Sequence, residues 1–211
     1  MKKILALSLV AIMLAPITMS AQNNKTLEKA LKKEYKAKIK EYKKEGWKIF
    51  ATSHTLEVAL LTHYDKLTKL GENGQEIVGT ATAKTDNLLY QSAVNNASNI
   101  YARNAGSHIK GRIISDMGNN ANDMAAEFDH FYAAYETLVE KEIRGELQQS
   151  YSIYKEVGNG VKEIRVYFIV NEDAASKARI KAYETALKES EAAQKYAEKV
   201  SEFVREGFNV E

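Results

Sequence analysis

Cysteine is absent from all 211 residues. That excludes disulfides, thiol catalysis, thiolate metal sites and a lipid-modified amino-terminal cysteine. Proline occurs once, as Pro16. Long apolar runs are scarce too: Ile4 to Ile17 is too short to span a bilayer, which takes about 20 residues. This run follows Lys2 and Lys3 and precedes Thr18-Met19-Ser20-Ala21, the pattern of a cleaved secretory signal over residues 1–21. Export to a periplasmic or outer-membrane-associated, non-lipidated location is therefore expected. Net charge is the next absence. Cleavage removes Lys2 and Lys3 from 30 basic residues and nothing from 28 acidic ones, leaving 28 of each. A balanced chain offers no electrostatic argument for nucleic acid, whose binders carry a clear positive excess.

Chemical signatures are also lacking. Gly71, Gly74 and Gly79 do not make a phosphate loop or a dinucleotide fingerprint. Ser92, Ser98, Ser107 and Ser115 lie in helical patterns rather than on a strand-to-helix elbow. His63-Tyr64-Asp65 places two ligand types at i and i+2, off a common helical face, and Asp129-His130 point about 100° apart on a helix. The expectation is no catalytic residue, no metal site and no cofactor.

What is present is pattern. Leu27, Leu31, Tyr35, Ile39 and Tyr42 recur at helical spacing among nine lysines between Lys25 and Lys44, which predicts a basic amphipathic helix over 22–45. Its outer lysines, Lys36, Lys40 and Lys43 among them, suit an anionic membrane surface or an acidic partner, or simply solvent. Residues 46–211 read as a single domain. Strands are predicted at 47–52, 76–83, 146–156 and 162–170. Between them a helix with Leu56, Leu60, Tyr64 and Leu67 on one face runs up to Gly71, capped by Ser53 or Thr55, and further helices cover 86–117 and 122–143. Gly79 inside a strand predicts close approach of a packed helix, and Met117-Gly118-Asn119-Asn120 predict a break or kink. The clearest β signal is a hairpin over Gly145–Asn171 that turns at Gly158-Asn159-Gly160. Its second arm, with Ile164, Val166, Phe168 and Val170, is expected to be the central strand. Tyr154 and Tyr167 are expected on the face opposite Ile153 and Val166, where they could pair across the strands as a partner contact. Asn171 or Asp173 should cap one last helix over 174–206 that stops at Gly207.

The segments Glu76 to Ala83, Ala93 to Ala105 and Glu163 to Val170 resemble the bacterial twenty-kilodalton envelope lipoprotein family, whose small α/β domain is shared with the amino-terminal part of a flagellar T-ring protein. The resemblance covers about Trp47 to Val170. It implies an antiparallel sheet packed by helices, used in envelope assembly or partner binding, and no catalytic residues. The chain departs from the family in lacking the lipidated cysteine and in its basic helix and long last helix. The Ala21-Gln22 junction is similar to cleavage sites of Gram-negative exporters.

The reading is thus an α+β domain of order α-β-α-β-α-α-β-β-α, with a four-stranded antiparallel sheet. Its expected role is an exported, non-enzymatic envelope protein that binds a protein partner. The alternative is a periplasmic binder of a small ligand or cell-wall fragment in a sheet-helix cleft. Oligomeric state is left open.

Overall fold

The structure, a computed structural model, describes residues 22–52, 54–117, 121–190, 193–194 and 197–206. The expected leader, Ser53 as a cap, the break at 118–120 and the Gly207 stop lie outside the described residues. Within them the architecture is the expected mixture of helices and one four-stranded antiparallel sheet. The elements are α1 (Gln22–Lys44), β1 (Lys48–Ile49), α2 (Leu56–Leu70), β2 (Gly74–Ala83), α3 (Asp86–Met117), α4 (Ala121–Ile143), β3 (Gln148–Gly158), β4 (Val161–Asn171), α5 (Glu172–Ala186) and α6 (Ala197–Glu206). Spatial order in the sheet is β1-β3-β4-β2, with antiparallel pairs throughout.

The sheet separates two apolar layers. On one side Ile77, Ile164, Val166, Phe168 and Val170 meet α3, behind which α4, α5 and α6 complete the core. Burying each of these large side chains stabilises the fold by about 1.5–3 kcal/mol. The stripe Leu89, Ala93, Ala97, Tyr101, Ala105, Ile109 and Ile113 of α3 is buried as the sequence predicts. Small residues allow the close approach: a Cβ built on Gly79 would lie 2.0 Å from the Ala93 carbonyl oxygen. On the other side, α1 and α2 cover the sheet with Tyr35, Ile39, Tyr42, Leu56, Ala59 and Leu60 packed on Tyr151, Ile153 and Tyr167.

Local signals explain the boundaries. Thr55 caps α2 by accepting from Val58 N–H at 3.3 Å, and a 3-10 turn over Gly71–Asn73 leads directly into β2. Asn171 caps α5, its Oδ1 accepting from Asp173 N–H at 2.8 Å. β1 is shorter than expected, because Ala51 takes a positive φ of 53° and turns the chain out of the ladder.

Two expectations are corrected. The helix expected over 174–206 is broken: after Ala186 a 3-10 turn runs over Leu187–Glu189, and Ser190 is extended. The Ser190 hydroxyl accepts from Ala193 N–H at 3.2 Å, as an N-cap does. The chain then folds back, so that Arg179 Nε donates to the Val204 carbonyl at 3.3 Å. In one continuous helix those residues would be about 37 Å apart.

The second correction concerns the hairpin faces. Tyr151 pairs with Tyr167, Ile153 with Arg165 and Tyr154 with Ile164. Directly opposed residues share a face, so Tyr154 and Tyr167 lie on opposite faces, and so do Ile153 and Val166. The turn itself is as expected, with Asn159 and Gly160 at φ of 52° and 71°. A two-residue turn alone would set Ile153 against Val166. The register shift between Glu156 and Gly158 inserts Val157 as a bulge and moves the side chains from Tyr151 to Glu156 to the other face, and a second shift between Gln149 and Tyr151 restores the faces of Gln148 and Gln149.

Candidate functional site

The face carrying Tyr167 is covered, but not filled. Between α1, α2 and the sheet lies a cleft of about 610 Å³. Its floor comes from alternate residues of the strands, Val78 and Thr80 of β2, Tyr151 of β3, and Glu163, Arg165 and Tyr167 of β4. Its walls are Leu60, His63, Tyr64 and Leu67 of α2 and Glu34 and Lys38 of α1, with Glu76 at the edge.

At the bottom three phenols converge. Tyr42 Oη lies 2.7 Å from Tyr167 Oη and 3.2 Å from Tyr151 Oη, and the Tyr151 and Tyr167 rings stack with centroids 4.3 Å apart. Burial pushes the Tyr42 and Tyr151 phenols well above the usual tyrosine range, because an apolar surrounding disfavours the charged form. Burial raises Tyr64 as well, and the Glu34 carboxylate beside it adds to the rise. The Tyr42, Tyr64 and Tyr151 hydroxyls therefore stay protonated at neutral pH and serve as hydrogen-bond donors and acceptors.

His63, which is 1% exposed, stands edge-on to the Tyr151 ring, with centroids 5.2 Å apart. Its Nε2 lies 2.6 Å from Glu76 Oε2, and its buried Nδ1 has no hydrogen-bond partner. The short turn between α2 and β2 makes this pair: both residues lie close to it on facing elements. Asp65, the neighbour singled out in the sequence, instead pairs with Lys69 at 2.6 Å. Asp129 is likewise turned from His130 to Lys110, at 3.3 Å.

The far end of the cleft is charged. Arg165 and Lys155 sit over the ring of Trp47, at 4.4 and 4.5 Å from its centroid, a cation–π arrangement. Glu163 pairs with Lys155 at 3.3 Å and approaches Arg165 at 3.9 Å. Trp47 Nε1 donates to Glu45 at 3.0 Å, which holds that carboxyl below its ordinary range. The cleft thus presents two cations, Arg165 and Lys38, to three carboxylates, Glu34, Glu76 and Glu163, across an aromatic floor. Such a surface can hold a ligand that carries both charges and hydroxyl groups.

A second depression, about 600 Å³, lies on the outer face of α3 between Ser92, Asn95, Asn96, Asn99 and Arg103. It offers no aromatic surface. Among the described residues no three His, Asp or Glu side chains group closely enough to hold a metal ion, and no helix is long and apolar enough to cross a membrane.

Of the residues singled out in the sequence, Tyr167 is buried in the cleft floor at 4% exposure. Tyr154 lies on the opposite face against Phe50, with ring centroids 5.8 Å apart. The two do not pair. Lys36 and Lys40 point to solvent, and Lys43 bonds Glu57 of α2 at 2.5 Å. Sequence reasoning missed Glu76, Arg165, Glu163 and Tyr151 as a group. Only the correct hairpin register would have placed Tyr151, Arg165 and Tyr167 together.

No family model, no curated protein and no solved structure matches this chain.

Proposed function

We propose that this protein is an exported, non-enzymatic binding protein of the cell envelope, and that the cleft between α1, α2 and the sheet takes a small polar ligand of the cell-wall fragment type. The observation that carries the reading is the lining: Arg165, Lys38, Glu34, Glu76 and Glu163 converge over the Tyr64, Tyr151 and Tyr167 rings. Ligand sites combine an apolar or aromatic surface with a few placed polar groups, and a muropeptide offers the complementary carboxylate, amine and hydroxyl groups. The leader-like residues 1–21 and the resemblance to envelope lipoproteins support the compartment.

The test is isothermal titration of the protein lacking residues 1–21 with soluble muropeptides, alongside Arg165→Ala and Tyr64→Ala. Saturable one-to-one binding that weakens about tenfold or more in each variant is expected, since each loses about 1.4 kcal/mol or more of contact. Absence of heat with every muropeptide tried, or equal affinity in the variants, refutes the assignment.

A further inference from the structure

The outer surface of α1 is independent of the cleft and carries a different chemistry. At 100° per residue, Lys29, Lys32, Lys33, Lys36, Lys40 and Lys44 fall, together with Lys43, within an arc of about 120° along about 22 Å of helix axis. Glu34 and Glu41 lie on another arc, that of the cleft-lining Glu34 and Lys38, so they do not intersperse with the lysines of the basic arc. The apolar arc, with Tyr35, Ile39 and Tyr42, packs against α2 and the sheet. Among the described residues only Lys43 of the basic arc has an ion-pair partner, Glu57.

That segregation is unlike the rest of a chain whose 28 basic and 28 acidic residues beyond position 21 balance. A face that serves only solubility mixes both signs; this one is uniformly positive. It is also held rigidly, because the inner face is fixed by Tyr42 and its two phenol contacts. Beside it, on the outer shoulder of α2, Val58 and Leu61 are large apolar side chains with 46% and 52% of their surface exposed. Leu61 lies between the two places where α2 bonds α1, Glu57 to Lys43 and Tyr64 to Glu34.

We infer that this surface docks on a lipid bilayer rich in anionic headgroups, with the α1 lysines over the phosphates and Leu61 entering the headgroup boundary. Charge complementarity selects an anionic surface, and exposed apolar side chains beside the basic arc select a bilayer over a soluble polyanion. The docked orientation lays α1 flat along the membrane with the sheet standing behind it.

The test uses the chain without residues 1–21 and two sets of vesicles, phosphatidylcholine alone and phosphatidylcholine with about a third phosphatidylglycerol. Co-sedimentation with the anionic vesicles only is expected, released by about 0.5 M salt as screening shortens the range of the charges. Each lysine near an anionic surface is worth about fivefold in partitioning, so Lys32→Gln/Lys33→Gln/Lys36→Gln/Lys40→Gln should bind at least about a hundredfold more weakly with an unchanged circular dichroism spectrum. Leu61→Trp should shift its emission to the blue on the anionic vesicles. Binding equal on neutral vesicles, an unaffected quadruple variant, no emission shift, or binding to soluble heparin but not to vesicles each overturns the proposal. Because no cleft residue is altered, failure here leaves muropeptide titration unaffected, and the reverse.

Discussion

Gly79→Ala tests the packing on which the sheet depends. The added Cβ would sit 2.0 Å from the Ala93 carbonyl oxygen, 2.9 Å from the carbonyl carbon and 3.0 Å from Ala97 Cβ. Ordinary carbon–oxygen contact requires about 3.3 Å or more, so β2 and α3 must part by about 1 Å. The obstacle is helix backbone, which has no rotamer to move aside. A gap of that size forfeits a quarter to a half of each dispersion contact along the seam, where Ala93 and Ala97 meet Ile77 and Gly79. Overpacking at a site that can relax costs about 1–3 kcal/mol; this one should fall at or above the top of that range. Removing a glycine from the unfolded chain returns about 0.5–1 kcal/mol, which leaves a net loss of about 2–4 kcal/mol. At about 2–4 °C per kcal/mol for a chain of this size, the melting temperature followed by circular dichroism should drop by about 5–15 °C.

Two further glycines make the prediction sharp. A Cβ on Gly106 would meet Glu136, with Oε1 at 2.2 Å and Cγ at 2.4 Å, as close as the Gly79 contact but to a side chain that can swing. Gly106→Ala should therefore stay within about 1 kcal/mol of the parent, its helix propensity gain offsetting the displacement. Gly111, also in α3, has nothing within 4 Å of the added Cβ, and Gly111→Ala should stabilise by about 0.5–1 kcal/mol. If Gly79→Ala melts with Gly106→Ala, the close seating of α3 on β2 is wrong.

Arg179, 2% exposed, ties the folded-back α6 to the core by donating to Val204 O, to Tyr101 Oη and to Glu172 Oε1. Arg179→Ala takes the cation from the Glu172 carboxylate, to which, among the described residues, only the Gln75 amide then donates, at 2.9 Å, and should cost about 3–5 kcal/mol, with hydrogen exchange accelerating first in residues 197–206. High pH provides an independent measurement. Burial raises the phenols of Tyr42, Tyr101, Tyr132, Tyr135, Tyr151 and Tyr183, Tyr101 and Tyr132 to about 12. Each acid is protonated in both states below the unfolded value of about 10, so its contribution is fully present there and is lost as pH rises toward the folded value. Several such groups titrating together make the loss steep, so unfolding should be abrupt between about pH 10 and 12; a melting temperature flat across that window contradicts the buried phenols.

Much of this architecture was legible from residue periodicity. The stripe of α3, the four strands, the Asn-Gly turn and the Asn171 cap are local signals, and local signals are what a single sequence carries. Gly79 announced its helix because glycine in a strand has few other uses. The break at Ser190 was hidden because no glycine or proline marks it and serine is common inside helices as well as at caps. The hairpin faces failed for another local reason: one bulged residue, Val157, exchanges the faces of β3 from Tyr151 to Glu156 and is invisible to a pattern of alternation. The cleft depended on that register, and on a pairing of His63 with Glu76 across a turn. Neither leaves a motif.

The most direct test of the ligand cleft is native mass spectrometry of the protein recovered from the cells that make it, beside Thr80→Trp, whose indole would project into the cleft from the edge strand β2. The ligand reading predicts a stoichiometric added mass on the parent that is absent from Thr80→Trp at equal stability. A bare mass in both proteins, or the same added mass retained in Thr80→Trp, contradicts it.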